Sequence, residues 1–95
     1  MEIQFSGSIL FIEDEMLSRT LLINFLEEAG LTFIEQDHAL NMLEIIQSHS
    51  VSLILLDIIL PYQDGFETLR KIRLDYPEMP VIIMSSSQAY LDISQ

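Results

Sequence analysis

The sequence predicts an α/β fold, a doubly wound parallel sheet with helices on both faces, and three observations predict it. Short apolar runs without polar alternation occur at residues 9–12, 53–56 and 81–84, the pattern of strands covered on both sides. Segments of helical period separate the runs, so strand and helix alternate along the chain. Each run also ends in polar groups: Glu13-Asp14-Glu15 after the first, Asp57 after the second and Ser85 after the third.

Ile9, Leu10, Phe11 and Ile12 form the first strand. After the acids, Leu17, Leu21, Leu22, Phe25, Leu26 and Ala29 recur at helical spacing and make the first helix, with Gly30 as the stop, and the methionines and aromatics on such apolar stripes are read as core. Residues 31–36 contain β-prone Thr32, Phe33 and Ile34 and make the second strand. Asp37 is placed to cap a second helix whose stripe is Leu40, Leu43 and Ile46, and residues 48–50 connect it to the third strand. A loop holding Pro61 and Asp64-Gly65 leads to a third helix over about 65–76, ended by Pro77 and Pro80. Residues 81–84 are a fourth strand, and the polar residues 85–87 precede a segment that reads as the start of another helix. The order βαβαβαβ implies right-handed crossovers. Ligands of such sheets bind beyond the carboxyl ends of the strands, where Asp14, Asp57 and Ser85 all fall.

No linker, repeat or low-complexity tract divides the 95 residues, so a single domain over 1–95 is expected, burying about 60–65% of its unfolded surface. A hydrophobic content of 49% excludes a disordered chain. Fifteen acids against four bases leave a net charge of −11, which repels nucleic acid and anionic membranes. Neither is an expected partner. No apolar stretch approaches the roughly 18–20 residues of a membrane span, and no basic segment leads into an apolar one at the start, so a cytoplasmic location is expected. The absence of cysteine removes disulfides, thiolate nucleophiles and zinc clusters.

Asp57 is the candidate nucleophile: a carboxylate attacks phosphorus to form an acyl phosphate when a cation offsets its charge. Standing alone, an Asp at a strand end is equally well explained as a turn or helix cap. Asp14 at a second strand end, with Pro61, Asp64 and Gly65 downstream, favours the phosphoacceptor role. Two like charges about 4 Å apart repel by roughly 4 kcal/mol at an effective dielectric near 20, so the acids of the two strand ends invite a cation. Mg²⁺ suits one or two carboxylates plus phosphate oxygens and water, whereas no EF-hand spacing for Ca²⁺ occurs. Glu13 is assigned to the metal through water and Glu15 to the helix start, where the dipole favours an acid. Ser85 offers a hydroxyl to a phosphoryl oxygen, although a Ser-rich loop is its ordinary explanation. Gly65 serves a tight turn. His38 and His49 match no metal spacing, and Arg70, Lys71 and Arg73 are read as a solvated helix face.

Taken together, these residues resemble the receiver domain of two-component response regulators over essentially the whole chain. Residues 9–15 (ILFIEDE) resemble its first strand and acidic pair, residues 53–61 with Asp64-Gly65-Phe66-Glu67 its phosphoacceptor strand and loop, and residues 80–85 its fourth strand and switch hydroxyl. The resemblance implies a flavodoxin-like sheet of strand order 2-1-3-4. It implies that Asp57 accepts a phosphoryl group from a histidine kinase or phosphotransfer protein. It also implies that Asp14, Asp57 and the backbone carbonyl of Ile59 hold Mg²⁺, with Glu13 through water, and that Ser85 moves onto the phosphoryl group. On this reading the protein is not a turnover enzyme.

Departures from the family pattern shape the expectations. Glu13 stands where Asp is common. The family's fifth strand, with its Lys and aromatic switch residue, and its fifth helix have no counterpart after the start of the fourth helix, and Lys71 cannot replace that Lys by position. The fourth strand is therefore expected to present an open edge, favouring a homodimer or other association. A receiver-like interaction module that is not phosphorylated is the alternative. A phosphohydrolase with an Asp nucleophile is disfavoured because position 59 is Ile, not a second Asp. The same apolar residue cannot orient water, so an acyl phosphate on Asp57 is expected to be long-lived.

Overall fold

A computed structural model of the chain describes residues 7–57, 59–60 and 63–84. Its main sheet has four parallel strands, β1 (Ser8–Ile12), β2 (Phe33–Gln36), β3 (Val51–Asp57) and β6 (Val81–Met84). Their order is β2-β1-β3-β6. This is the expected 2-1-3-4 arrangement, with β6 as the fourth strand. The helices are α1 (Met16–Glu28), α2 (Met42–Ser48) and α3 (Gly65–Asp75). A two-residue antiparallel ribbon that the sequence did not suggest, β4 (Ile59–Leu60) with β5 (Gln63–Asp64), joins β3 to α3. Among the described residues no helix is long and apolar enough to cross a membrane.

Alternate side chains of each strand serve opposite faces. Leu10, Ile12, Ile54 and Leu56 pack with Met42, Ile45 and Ile46 of α2 and Ile72 of α3. Ile9, Phe11 and Leu55 pack on the other face with Leu26 of α1, and Leu22, Ile23 and Phe33 add to that cluster. The continuous apolar runs of β1 and β3 are thus explained by burial of both parities, whereas in β6 Ile82 is exposed.

The ends of α1 are set by local hydrogen bonds. Glu15 is the N-cap, its carboxylate accepting from the Leu17 and Ser18 N–H groups at 3.2 and 2.7 Å. At the other end, Gly30 has φ +74°, its N–H donates to the Glu27 carbonyl and that of Leu31 to the Leu26 carbonyl. This is a Schellman closure, completed by Leu31 packing in the cluster of Leu26.

Two sequence expectations require correction. The apolar stripe of α1 is not all core: Leu26 and Ala29 are buried, but Leu17, Leu21 and Phe25 are exposed. The apolar arc of this helix is wider than the contact a single helix makes with a sheet. Asp37 does not cap the second helix, which begins later, behind Asn41, without a side-chain cap. The His38 ring accepts the Leu40 N–H at 3.2 Å, and residues 37–41 turn as a loop that leaves Leu40 exposed while Ala39 is buried. The remaining shifts are at boundaries: β2 begins at Phe33, β3 runs the full length from Val51 to Asp57, and α3 stops at Asp75. The polar loop and helix start expected after Met84 lie outside the described residues.

No atom lies within 4 Å of a Cβ built on Gly30, so the demand at that position is purely conformational. Gly30→Ala is expected to cost about 1 kcal/mol, lowering Tm by about 4–8 °C for a chain of this size. Gly30→Asn should lose less, as a pair of thermal melts would register.

Candidate functional site

The site is built at the carboxyl ends of β1 and β3. These strands pair in parallel with Ile12 beside Leu56, so the next residues of each chain segment, Glu13 and Asp57, emerge as neighbours. The Glu13 N–H continues the ladder to β2 by donating to the Gln36 carbonyl at 3.0 Å. Glu13 and Asp57 are only 2% and 4% exposed, whereas Asp14 faces solvent. One carboxylate oxygen from each of Glu13, Asp14 and Asp57 lies within 4.8 Å of the other two. The fold therefore gathers three acids read from two separate sequence runs into one cluster.

Their proximity has an electrostatic consequence. Burial pushes the Glu13 carboxyl up to about 7 from an ordinary value of 4.5, against a lowering by the Glu15 N–H, which donates to its Oε1 at 3.0 Å. A hydrogen bond to Asp57 and the charges of Asp57 and Asp14 raise it further. Glu13 thus shares a hydrogen bond with Asp57 while its Oε1 accepts from its own loop. Glu15 behaves oppositely: the Ser18 N–H, then the Ser18 hydroxyl and Leu17 N–H, hold it below the ordinary value. Capping separates its role from that of its two acidic neighbours.

The donor set is entirely oxygen, partly buried and crowded with like charge. Those properties fit a hard divalent cation such as Mg²⁺, which would offset the crowded like charge. Of the other sequence-derived candidates, Ile59 opens β4, where it pairs with Asp64, and Gly65 begins α3 in a buried position. Ser85 and Pro61 lie outside the described residues. His49 is exposed at the end of α2, and the partly exposed His38 bonds within its own loop, so neither histidine joins the cluster.

Sequence reading missed Arg19. Its guanidinium bonds the Glu35 carboxylate on β2 at 2.7 Å and holds the first turns of α1 against the sheet beside the site. Nothing in the sequence separation of 16 residues signals this pair; it becomes visible only once β2 lies next to β1.

The model of the response regulator receiver domain family matches residues 9–95. Response regulator protein FleR of Pseudomonas aeruginosa is 31% identical over 81 residues, covering 85% of this chain and 17% of that protein. The autoinducer 1 sensor kinase/phosphatase LuxN of Vibrio harveyi is 27% identical over 90 residues, covering 93% of this chain and 11% of that protein. The chain thus spans a small part of these curated relatives. Among solved structures, response regulator protein TrrA of Thermotoga maritima in complex with Mg²⁺-BeF superposes with a TM-score of 0.78 at 27% identity, covering 90% of this chain and 74% of that one. The receiver domain of NtrX from Brucella abortus gives 0.76 at 29% identity, covering 90% and 74%.

The Glu13 shift predicts a pH dependence. A carboxyl whose folded value lies above its unfolded one stabilises the fold fully below the unfolded value, and that contribution is lost as pH rises through the folded one. Without divalent cations, Tm should therefore fall as pH is raised from near 4.5 through 7, by an amount equivalent to at most about 3 kcal/mol. Glu13→Gln, which cannot ionise, should flatten this dependence in thermal melts across that range. Glu15 acts in the opposite sense, but its contribution is lost only as pH falls below the ordinary Glu value.

Proposed function

The chain belongs to the response regulator receiver family, and from that premise we propose that Asp57 is the phosphoacceptor of a two-component signalling pathway. The donor is a phosphohistidine on a sensor histidine kinase or phosphotransfer protein, the partners with which receiver domains work. The observation that carries this reading is the carboxylate cluster: Asp57 is buried at the end of β3 with Glu13 and Asp14 within 4.8 Å.

An Asp57 carboxylate oxygen attacks phosphorus, the phosphorus–nitrogen bond of the donor breaks, and its electron pair remains on the imidazole, which takes up a proton. Asp14, Asp57 and the backbone carbonyl of Ile59 would hold Mg²⁺, with Glu13 engaged through water. Bound there, Mg²⁺ supplies the positive charge that lets an anionic nucleophile approach an anionic phosphoryl group. The Mg²⁺-BeF complex of the Thermotoga relative supports the choice of cation. Asp57 is the group modified, so the protein acts as an intermediate carrier and not as an enzyme with turnover. Ser85 is the hydroxyl assigned to the phosphoryl oxygen by family resemblance.

A second reading, a receiver-like interaction module that is not phosphorylated, is favoured by the placement of the bases. Lys71 is exposed on α3 and lines a pocket with Ala39 and Asn41, just ahead of α2. On this reading the module works by association, with β6, the outermost strand of the main sheet among the described residues, as the edge that a second copy would pair with.

Intact-mass spectrometry after incubation with acetyl phosphate separates the readings. The first expects one added phosphoryl group on wild type in Mg²⁺, none after chelation and none on Asp57→Asn. Absence of any addition would favour the second reading. Sedimentation at tens of micromolar measures association independently: a concentration-dependent dimer is expected if the β6 edge pairs, and a persistent monomer removes that role.

A further inference from the structure

The stretch of chain that enters α2, residues 39–44, and Lys71 of α3 line a pocket of about 210 Å³. Its apolar lining is graded: Ala39 and Met42 are buried, Leu43 is half-buried and Leu40 is 64% exposed. All of its lining residues belong to α2, the loop before it and α3, so the pocket owes nothing to the edge of the sheet at β6.

Size restricts what can enter. Sites for whole small molecules usually measure about 300–1,000 Å³. The pocket lies below that range, which suits a single apolar side chain better than a free ligand. A side chain seated there would also cover Leu40, and one apolar anchor in a pocket is how protein surfaces commonly read a short segment of a partner.

Charge defines what stands beside the anchor. Three of the four bases in the chain are engaged: Arg19 with Glu35, Arg70 with Glu67, and Arg73 with the Tyr76 and Met79 carbonyls. Lys71 is the fourth, and its ammonium makes no hydrogen bond or ion pair among the described residues. The exposed Glu44 carboxylate, on the α2 side of the same pocket, makes none either, so the two do not pair with each other. The pocket therefore presents one charge of each sign, from different helices. A net charge of −11 repels a strongly acidic segment, or a second copy of this chain, and attracts a strongly basic one anywhere on the surface. A segment with one charge of each sign matches the pocket without answering to that general field. We propose that the pocket binds a short segment of a partner protein in which an apolar residue is flanked by an acid and a base. The apolar side chain enters between α2 and α3, the carboxylate meets Lys71 and the basic group meets Glu44. This binding does not rest on phosphorylation of Asp57.

The probes are three acetylated and amidated Gly/Ser peptides of zero net charge, in which Glu and Lys stand one, two or three residues either side of a central Leu. In a ¹⁵N NMR titration of the full chain at physiological ionic strength, at least one should shift the amide signals of residues 39–44 and 71 saturably, with a Kd on the order of 1 mM for a single anchor. The same peptide with Ser for Leu should not bind. Lys71→Gln and Glu44→Gln alter the net charge of the chain in opposite senses, yet each should weaken binding of the neutral peptide by about two- to fivefold, the effect of one exposed ion pair. Leu40→Ser should weaken it severalfold, and Leu21→Ser, exposed on α1, should leave it unchanged. Circular-dichroism melts confirm folding of these surface variants. Weakening by only one of the two charge variants, or by neither, would overturn the proposal. Absence of saturable shifts at these residues, equal binding of the Ser peptide, or a dimer of wild type that Leu40→Ser dissociates would overturn it equally.

Discussion

The parallel register between β1 and β3 is the constraint on which the site depends. With Ile12 beside Leu56, the residues that leave the two strands are Glu13 and Asp57, and their carboxyl groups have little choice but to meet. A shift of one residue would turn every side chain of one strand to the other face. That shift would exchange Leu10 and Ile12 with Ile9 and Phe11 between two differently shaped clusters. Packing of the core therefore holds the acids together despite their mutual repulsion. Burial first, and the neighbouring acids after it, raise the proton affinity of Glu13.

The three acids of the first loop show how one short segment divides its labour. Glu13 is buried and faces Asp57, Asp14 is exposed at the rim, and Glu15 turns back to cap α1. Their backbone positions explain the division. Glu13 still belongs to the β-ladder through Gln36, whereas Glu15 already sits at the N-cap, where free N–H groups seek an acceptor. Because α1 starts immediately beyond the acids and is fastened to β2 by Arg19, its orientation is tied to the geometry of the site. The inner side of the helix packs through Leu26 with Leu55, while Leu21 and Phe25 are exposed.

Much of the architecture was legible in the sequence because its signals are local. Uninterrupted apolar runs mark strands buried on both faces, Gly30 marks a left-handed helix end, and acids at strand ends mark a site. Asp57 and Asp14 could be singled out because each follows such a run. Other features were not legible for equally physical reasons. Periodicity counts apolar residues without saying how wide a contact the neighbouring sheet can offer, so Phe25 reads as core although it is exposed, together with Leu17 and Leu21 of the same stripe. Asp37 had the chemistry of a cap, but burial of Ala39 and Met42 set the start of α2 further on.

By itself, the sequence determined the alternation of strands and helices, the strong negative charge and the positions at which acids leave the strands, since each is written in neighbouring residues. Tertiary structure alone decided that Glu13 would be the buried partner of Asp57, that Arg19 would meet Glu35, and that Leu17, Leu21 and Phe25 of α1 would be exposed. Those outcomes depend on which strands become neighbours and on where a helix of finite width comes to rest. Neither quantity is carried by residues adjacent in the chain.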